Sequence, residues 1–527
     1  MHDPALFWKK NLPKLILGLI IVFYLVNGII YLRSQSITAD EGSFMNYAIR
    51  YLKGHPERIT PVTDNSKMPA SAINMLPRIV ENVGTGGSNE KTDWGYQDTM
   101  MGRYVTLAVS ILVILLVYTW SKQLYGNKAG LFAAFLMSFC PNNIANAGLV
   151  TTDSYAVLFL LLSSFYLWKF CRVRTTRYFI LFSVSVALSQ LVKQSLFHLY
   201  VLAPLCLALY FAVYREKFNT GLFFRRLLIF AVISVVIINV GYYFYESFES
   251  IGNYHFMSNL FQGLQQSLPQ ALPLPFPKPF VDGLDMAKYY DQVGGGKVGV
   301  SSFGKPTILG QARTGGQFWY YYIVSILYKT PLAYFIFFFG SAGWMIRNMS
   351  LKRFMANEFF LLAPVVYYLV VLSFFYKTQC GLRHIIFIYP FLFIFSSAII
   401  AHVRKRYWRI AIVVLSLFLM ASVLRYWGNY YPYTNELILD KKKAYLKVGA
   451  ANLEFHQGYY FATDYMAKHP GVDWASRQPK PGLFIITTQD YLDVWNQHTY
   501  DWLLKFKPID QVAYNYLLIE VKESDIK

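Results

Sequence analysis

Charge is what this sequence has least of. Only 15% of its 527 residues are Asp, Glu, Lys or Arg, against roughly a quarter in an ordinary soluble protein. That shortfall excludes a soluble single-domain enzyme, and with 55% hydrophobic residues it excludes a disordered or fibrous chain as well. Cysteine is scarce too: Cys140, Cys171, Cys206 and Cys380 have no metal-like spacing and form no disulfide framework. Acidic residues are the rarer sign, 29 against 49 basic ones, for a formal charge of +20. Such an excess suits nucleic acid when it forms a stripe or tail. Here it is broken into small clusters between apolar runs, so no nucleic-acid partner is expected. No internal repeat is visible.

What the chain does have is length in its apolar runs. A spanning helix needs about 20 mostly apolar residues. Eleven runs approach that: 15–31, 104–120, 130–149, 155–170, 179–191, 195–214, 227–245, 331–346, 359–375, 385–402 and 410–427. The first lacks a small-residue cleavage site and is expected to stay as a span. The fold class expected is therefore an α-helical polytopic membrane protein of about eleven transmembrane helices, occupying residues 1–427.

Basic clusters record its orientation. Lys9, Lys10 and Lys14 precede the first run; Lys122 and Lys128 follow the second; Arg172, Arg174 and Arg177 the fourth; Arg215, Lys217, Arg225 and Arg226 the sixth; Arg347, Lys352 and Arg353 the eighth; Arg404, Lys405, Arg406 and Arg409 the tenth. By alternation all fall on one side. The positive-inside rule makes that side cytoplasmic, with the N-terminus there and the C-terminus extracytoplasmic, in the plasma (inner) membrane of a cell. Two long outer loops result, 32–102 and 246–330. The second contains "LPQALPLPFPKPF" and "VGGGKVG"; the glycine run lacks the spacing of a phosphate-binding P-loop and reads as a plain flexible loop. Residues 428–527 are more polar, mix an amphipathic stretch with strand-like runs ("GLFIITT", "AYNYLLIEV"), and read as a small extracytoplasmic α/β domain.

The chemistry-bearing residues sit at the outer ends of the runs. Asp40 and Glu41 follow the first, Asp153 the third, Lys193 the fifth, and Lys377, Arg383 and His384 the ninth, while Lys329 precedes the eighth. Short outer loops are normally poor in Lys and Arg, so these cations break the bias. One reading is that they pair with the carboxylates and do nothing more. The other is a site for an anionic, lipid-bound substrate such as a polyprenyl-phosphate sugar. There cations stabilise charge on the leaving phosphate, and a carboxylate takes the proton of the attacking hydroxyl. A single displacement inverts the anomeric centre.

At these residues the sequence resembles the lipid-carrier-dependent glycosyltransferases of the GT-C fold, and more narrowly glycosyltransferase family 39, the protein O-mannosyltransferases and the aminoarabinose transferases. The acidic pair lies in "TADEGSFMNYA", the second acidic residue in "LVTTDSYAVLFLLL", and the Lys-containing turn in "LVKQSLFHLYVLAP". Further matches are "GKPTILGQARTGGQFWYYYIVSILYKTPLAYF", "GLRHIIFIYPFLFI" and "YYPYTNEL". Two places depart from the pattern. "GAANLEFHQG" at 449–458, with Glu454 and Gln457, stands where many relatives carry "DSNLDWGQD", and Ser43 and Phe44 stand where the aminoarabinose branch often has an Arg.

The resemblance implies Asp40 as catalytic base, Glu41 orienting it or binding the acceptor, and Asp153 acting near the donor phosphate. In some relatives Asp153 would act through a divalent cation; no cofactor is otherwise expected. Lys193, Arg383, Lys329 and His384 would be donor-phosphate contacts, His384 being more often a neutral hydrogen-bonding residue. The function implied is hexosyl or pentosyl transfer from a polyprenyl-phosphate donor to a protein, lipid or glycan acceptor of the cell envelope. The alternative is a lipid or polysaccharide transporter. Transporters place ionisable groups near the bilayer midplane within internal repeats, whereas these sit at the ends of the runs.

Overall fold

The computed structural model describes residues 4–59, 64–84, 94–215 and 219–526; Lys217 of the basic clusters lies outside them. Every one of the eleven apolar runs is helical, though not every one is a single helix of membrane length. Among the described residues seven are long and apolar enough to cross a membrane, or eight if Tyr321–Lys329 and Leu332–Asn348, bent by 108° at Thr330 and Pro331, count as one. The difference has local causes. Thr176–Ser189 and Phe359–Phe374 are shorter apolar helices, and at about 1.5 Å per residue they fall short of a ~30 Å hydrocarbon core. The run 130–149 is two helices, Asn127–Ser138 and Pro141–Ala147. Pro141 has no amide hydrogen with which to continue the ladder and instead opens the second piece. The chain is an integral membrane protein.

The two ends of the bundle differ in chemistry. At one end Trp168 donates its indole N–H to Ala356 O at 3.0 Å, Tyr125 donates to Glu358 at 3.0 Å, and Tyr214 donates to Lys352 O at 2.8 Å. These contacts gather the segments that follow the second, fourth, sixth and eighth runs, with their Lys and Arg. The opposite end carries Asp40, Asp153, Lys193 and Arg383.

Both long loops are folded over their described residues. The first contains the helix Glu41–Leu52, a 3-10 turn Pro69–Met75 and the helix Leu76–Gly84. The second contains helices Asn259–Ser267 and Lys278–Val293 and a short hairpin, β1 (Thr307–Ile308) with β2 (Gln311–Ala312). The glycine run is not the plain flexible loop expected. Gly295 O accepts Gly315 N–H at 2.8 Å, Gly296 N–H donates to Phe303 O at 2.9 Å, and a Cβ at Gly295 would lie 2.2 Å from Gly304 O. The glycines are there because two backbones pass too closely for side chains.

After the last apolar helix, Arg406–Leu424, the chain builds a four-stranded sheet of β3 (Val472–Trp474), β4 (Gly482–Thr487), β5 (Asp510–Val512) and β6 (Tyr516–Val521), in the order β3-β4-β6-β5. Both faces are covered. Phe484, Ile486, Leu517 and Ile519 pack on one side, while Ile485, Tyr516 and Leu518 pack on the other with Ala462 of helix Tyr459–Lys468. Alternation along β4 and β6 assigns each residue to its face.

Candidate active site

Asp40 stands at the N-cap of helix Glu41–Leu52, yet its side chain makes no capping bond. The carboxylate is turned instead to Arg383, whose Nη1 donates to it at 2.7 Å. The segment before it is held by backbone bonds to residues 455–457: Ser36 N–H to Gln457 O at 3.1 Å and Ala39 N–H to Phe455 O at 3.4 Å. Burial alone would raise the carboxyl's pKa, but the charges of Arg383 and Lys67 outweigh it and hold Asp40 below the usual carboxylate range.

Asp153 opens the helix Asp153–Val173, where the N-terminal dipole favours its charge. It is paired with the Lys193 ammonium. Lys193 is presented by the turn between helix Thr176–Ser189 and the 3-10 turn Gln194–His198. Arg383 follows Gly381, whose φ of 84° and close approach to Ala451 O admit no side chain. The turn is fixed by Gly381 N–H to Tyr321 Oη at 2.9 Å and Leu382 N–H to Asn452 Oδ1 at 2.8 Å. The guanidinium carbon of Arg383 lies 4.1 Å from the centre of the Phe455 ring. His384 is half-buried and feels the charges of Lys193, Arg383, Asp153 and Asp40.

Two expected site residues have different surroundings. Glu41 is fully enclosed. Its carboxylate takes Arg103 Nε at 2.8 Å and Nη2 at 2.6 Å, Thr38 N–H at 2.8 Å and Oγ1 at 3.0 Å, and Val150 N–H at 2.9 Å. A carboxylate with its lone pairs so occupied and no exposed surface is a strut: of the roles the resemblance implies for Glu41, its surroundings fit positioning and leave no open face for catalysis or an acceptor. Lys329 is likewise buried, at the bend before Pro331, and donates to the backbone oxygens of Tyr431 and Asn452. It lines, with Arg383, Asn142 and Asn146, a small polar void with room for about one water. That makes Lys329 a tie between segments rather than an open phosphate contact.

Three residues of the site were not singled out in the sequence. Lys67 comes from the first loop, is buried, stands 3.9 Å over the Phe44 ring and donates to Ser66 Oγ at 3.1 Å. Burial lowers its pKa to about 8, against the pull of Asp40. Arg103 holds Glu41, and Phe455 floors Arg383. Lys67 lies in "SKMP" among several loop charges, and nothing local marks it as the one turned inward. The departure at 449–458 is also resolved. Glu454 and Gln457 are fully buried; Glu454 accepts from Asn515 Nδ2 and Gln457 Oε1 accepts Phe455 N–H at 2.6 Å. They brace the segment that carries Phe455.

The donor set does not suit a divalent cation, because Asp40 and Asp153 each face a guanidinium or an ammonium. The one grouping of metal-type ligands among the described residues, Asp493, His498 and Asp501, belongs to the C-terminal region, where Lys305 pairs with Asp493 at 3.2 Å. What the site offers is three cations (Lys67, Lys193 and Arg383) around two carboxylates at the end of an apolar bundle. The side chain of Asp40 remains 34% exposed.

Comparison with known structures finds similarity along nearly the whole chain. ArnT from Cupriavidus metallidurans bound to undecaprenyl phosphate is 12% identical, with a TM-score of 0.49, over 97% of this chain and 98% of that one. The oligosaccharyltransferase of Archaeoglobus fulgidus is 13% identical, with a TM-score of 0.48, over 93% of this chain and 60% of the other. Comparison with curated protein sequences finds no match. Residues 97–239, which include Arg103, Asp153 and Lys193, match the family described as dolichyl-phosphate-mannose-protein mannosyltransferase, and over this segment the match bears out the likeness to lipid-carrier-dependent glycosyltransferases read from the motifs.

Proposed function

We propose that the protein transfers a hexosyl or pentosyl group from a polyprenyl-phosphate donor to an acceptor hydroxyl at the extracytoplasmic membrane surface, with inversion. The N-terminus is then cytoplasmic, residues 1–427 form the membrane-embedded catalytic body, and residues 428–527 lie outside. The observation that carries this reading is the convergence of Asp40, Lys67, Asp153, Lys193 and Arg383, from separate stretches of chain, at the end of the bundle opposite the basic clusters.

The acceptor is an alcohol. Its oxygen attacks the anomeric carbon as the bond from that carbon to the phosphate oxygen breaks. The lipid phosphate leaves with the bonding pair, and its charge is met by Arg383, Lys193 and Lys67, whose N–H groups suit phosphate oxygens. The proton passes to Asp40. A carboxylate held ionised is a weak base, so transfer comes late, when the new C–O bond has made the acceptor oxygen acidic. Lys193 and Arg383 are neutralised at rest by Asp153 and Asp40; the arriving phosphate competes for them and frees Asp40 toward the acceptor.

The test is transfer of radiolabelled sugar from defined polyprenyl-phosphate donors in proteoliposomes, with cell-envelope extract as acceptor and the anomer of the product read by NMR. Inverted product is expected. Retention would remove the single displacement. Donor binding without any transfer, across the donor panel, would leave the transport alternative standing.

A further inference from the structure

Helix Thr220–Gly241 is turned largely outward, burying Ser234, Ile238 and Asn239. Along it Phe224, Leu228, Val232, Val236 and Val240 recur every fourth residue, each half or more exposed. Such a stripe faces lipid. It does not stop where the helix ends. The next turn holds Tyr243, Phe244, Glu246 and Phe248 at φ of 58°, 55°, 46° and 63°, left-handed conformations that bulky residues rarely adopt. Phe244 and Phe248 emerge from it 56% exposed. Strain that delivers two phenyl rings into water gains nothing; strain that delivers them into an apolar phase is offset by their burial.

The chain then forms helix Asn259–Ser267, which has two unlike faces. On one, Phe261 packs against the Tyr254 and Phe256 cluster. On the same side the Gln265 amide donates to Ile251 O at 2.7 Å and Tyr254 O at 2.8 Å. On the other, Leu260 and Leu264, four residues apart, are exposed, and Leu268 follows them. We propose that residues 243–268 form an in-plane membrane anchor, with Phe244, Phe248, Leu260 and Leu264 seated in the boundary between headgroups and hydrocarbon. The partner is the phospholipid bilayer, because the chain enters this segment directly from the lipid-facing stripe of the preceding span, and aromatic residues next to a span are at home in that layer.

The anchor is fastened to the site. Asp285 accepts Met257 N–H at 2.7 Å and Ser258 N–H at 2.9 Å, joining the anchor to helix Lys278–Val293. From the same helix Asp291 accepts Lys377 N–H at 2.7 Å, in the strand of chain that leads to Arg383. Seating residues 243–268 in the bilayer thus fixes the height of Arg383 above the lipid headgroups.

The test uses the full-length protein in phosphatidylethanolamine–phosphatidylglycerol nanodiscs. Single nitroxides are placed by Phe248→Cys and Leu264→Cys in a Cys380→Ser background. Val236→Cys is the lipid reference and Lys468→Cys, on an exposed helix face, the water reference. The oxygen-to-nickel accessibility ratios at 248 and 264 are expected to fall with that of 236 and several-fold above that of 468. Ratios equal to that of 468 would overturn the anchor. Exclusion of both reagents would overturn it as well, since a second protein surface would then cover the patch. On the unmodified protein, a diazirine carried on a lipid acyl chain should label the peptides spanning 243–268; labelling confined to the spans would refute the proposal independently of any substitution.

Discussion

Asp40 and Glu41 are neighbours, both face an arginine, and their situations are opposite. Glu41 is enclosed with Arg103 and receives bonds from four donor groups, two of them backbone amides. Asp40 keeps a third of its side chain open, and its ion pair with Arg383 sits beside Lys67, which lacks a carboxylate partner within ion-pair distance among the described residues. A saturated buried pair resists exchange and is costly to break from one side. A pair with an open flank and a spare cation nearby can trade partners when an anion arrives. Next to each other in sequence, one carboxylate fixes the loop and the other is left available for chemistry.

Four experiments bear on that difference. The largest effect is expected from Asp40→Asn, which should lower sugar transfer by ~10²–10⁴ while leaving the melting temperature in detergent unchanged. Transfer within a few-fold of wild type would take the base assignment away from Asp40. Glu41→Ala should behave the other way round, costing about 3–5 kcal/mol of stability by stranding Arg103, seen as an early thermal transition; Glu41→Gln should cost less. If Glu41→Ala melted normally yet abolished turnover, the division of labour between the two would be wrong.

Lys67 supplies a pH signature. With its pKa lowered to about 8, it is cationic below that value and loses its charge as pH rises through it. The donor KM should therefore be flat below about pH 7 and climb across pH 8, and Lys67→Arg should flatten the climb. The smallest change is expected at Phe455, where Phe455→Leu removes a cation–π contact worth ~0.5–2 kcal/mol. That should appear as a rise in donor KM or a fall in kcat of roughly two- to thirtyfold, with Phe455→Tyr close to wild type.

Asp40, Asp153, Lys193 and Arg383 were legible in the sequence because a charge at the end of an apolar run is rare and has to be explained. Their pairing is a long-range fact that follows from helix packing, and no local pattern announces it. Arg103 escaped notice since it lies at the entry to a long apolar helix, Tyr96–Tyr125, as one more basic residue near a span. Phe455 is one of 43 phenylalanines, and only the fold brings it under a guanidinium. Hydropathy marks the eleven apolar runs but does not see a break such as that before Pro141. The glycine run misled for a related reason: composition reports freedom of the isolated chain, and a close crossing uses that freedom up. The strands of the C-terminal region were readable from alternation, whereas its hold on the loop that carries Asp40 rests on backbone bonds at residues 455–457, which carry no side-chain signal.

Lys329 donates to the backbone oxygens of Tyr431 and Asn452, and Arg383 rests on Phe455, so the final hundred residues are not a removable appendage. Truncation near residue 428 would take away the lysine's acceptors and the arginine's floor together. A chimera meant to borrow another protein's C-terminal region would have to place its junction after Gly458, retaining this stretch with the bundle, or else replace both halves at once.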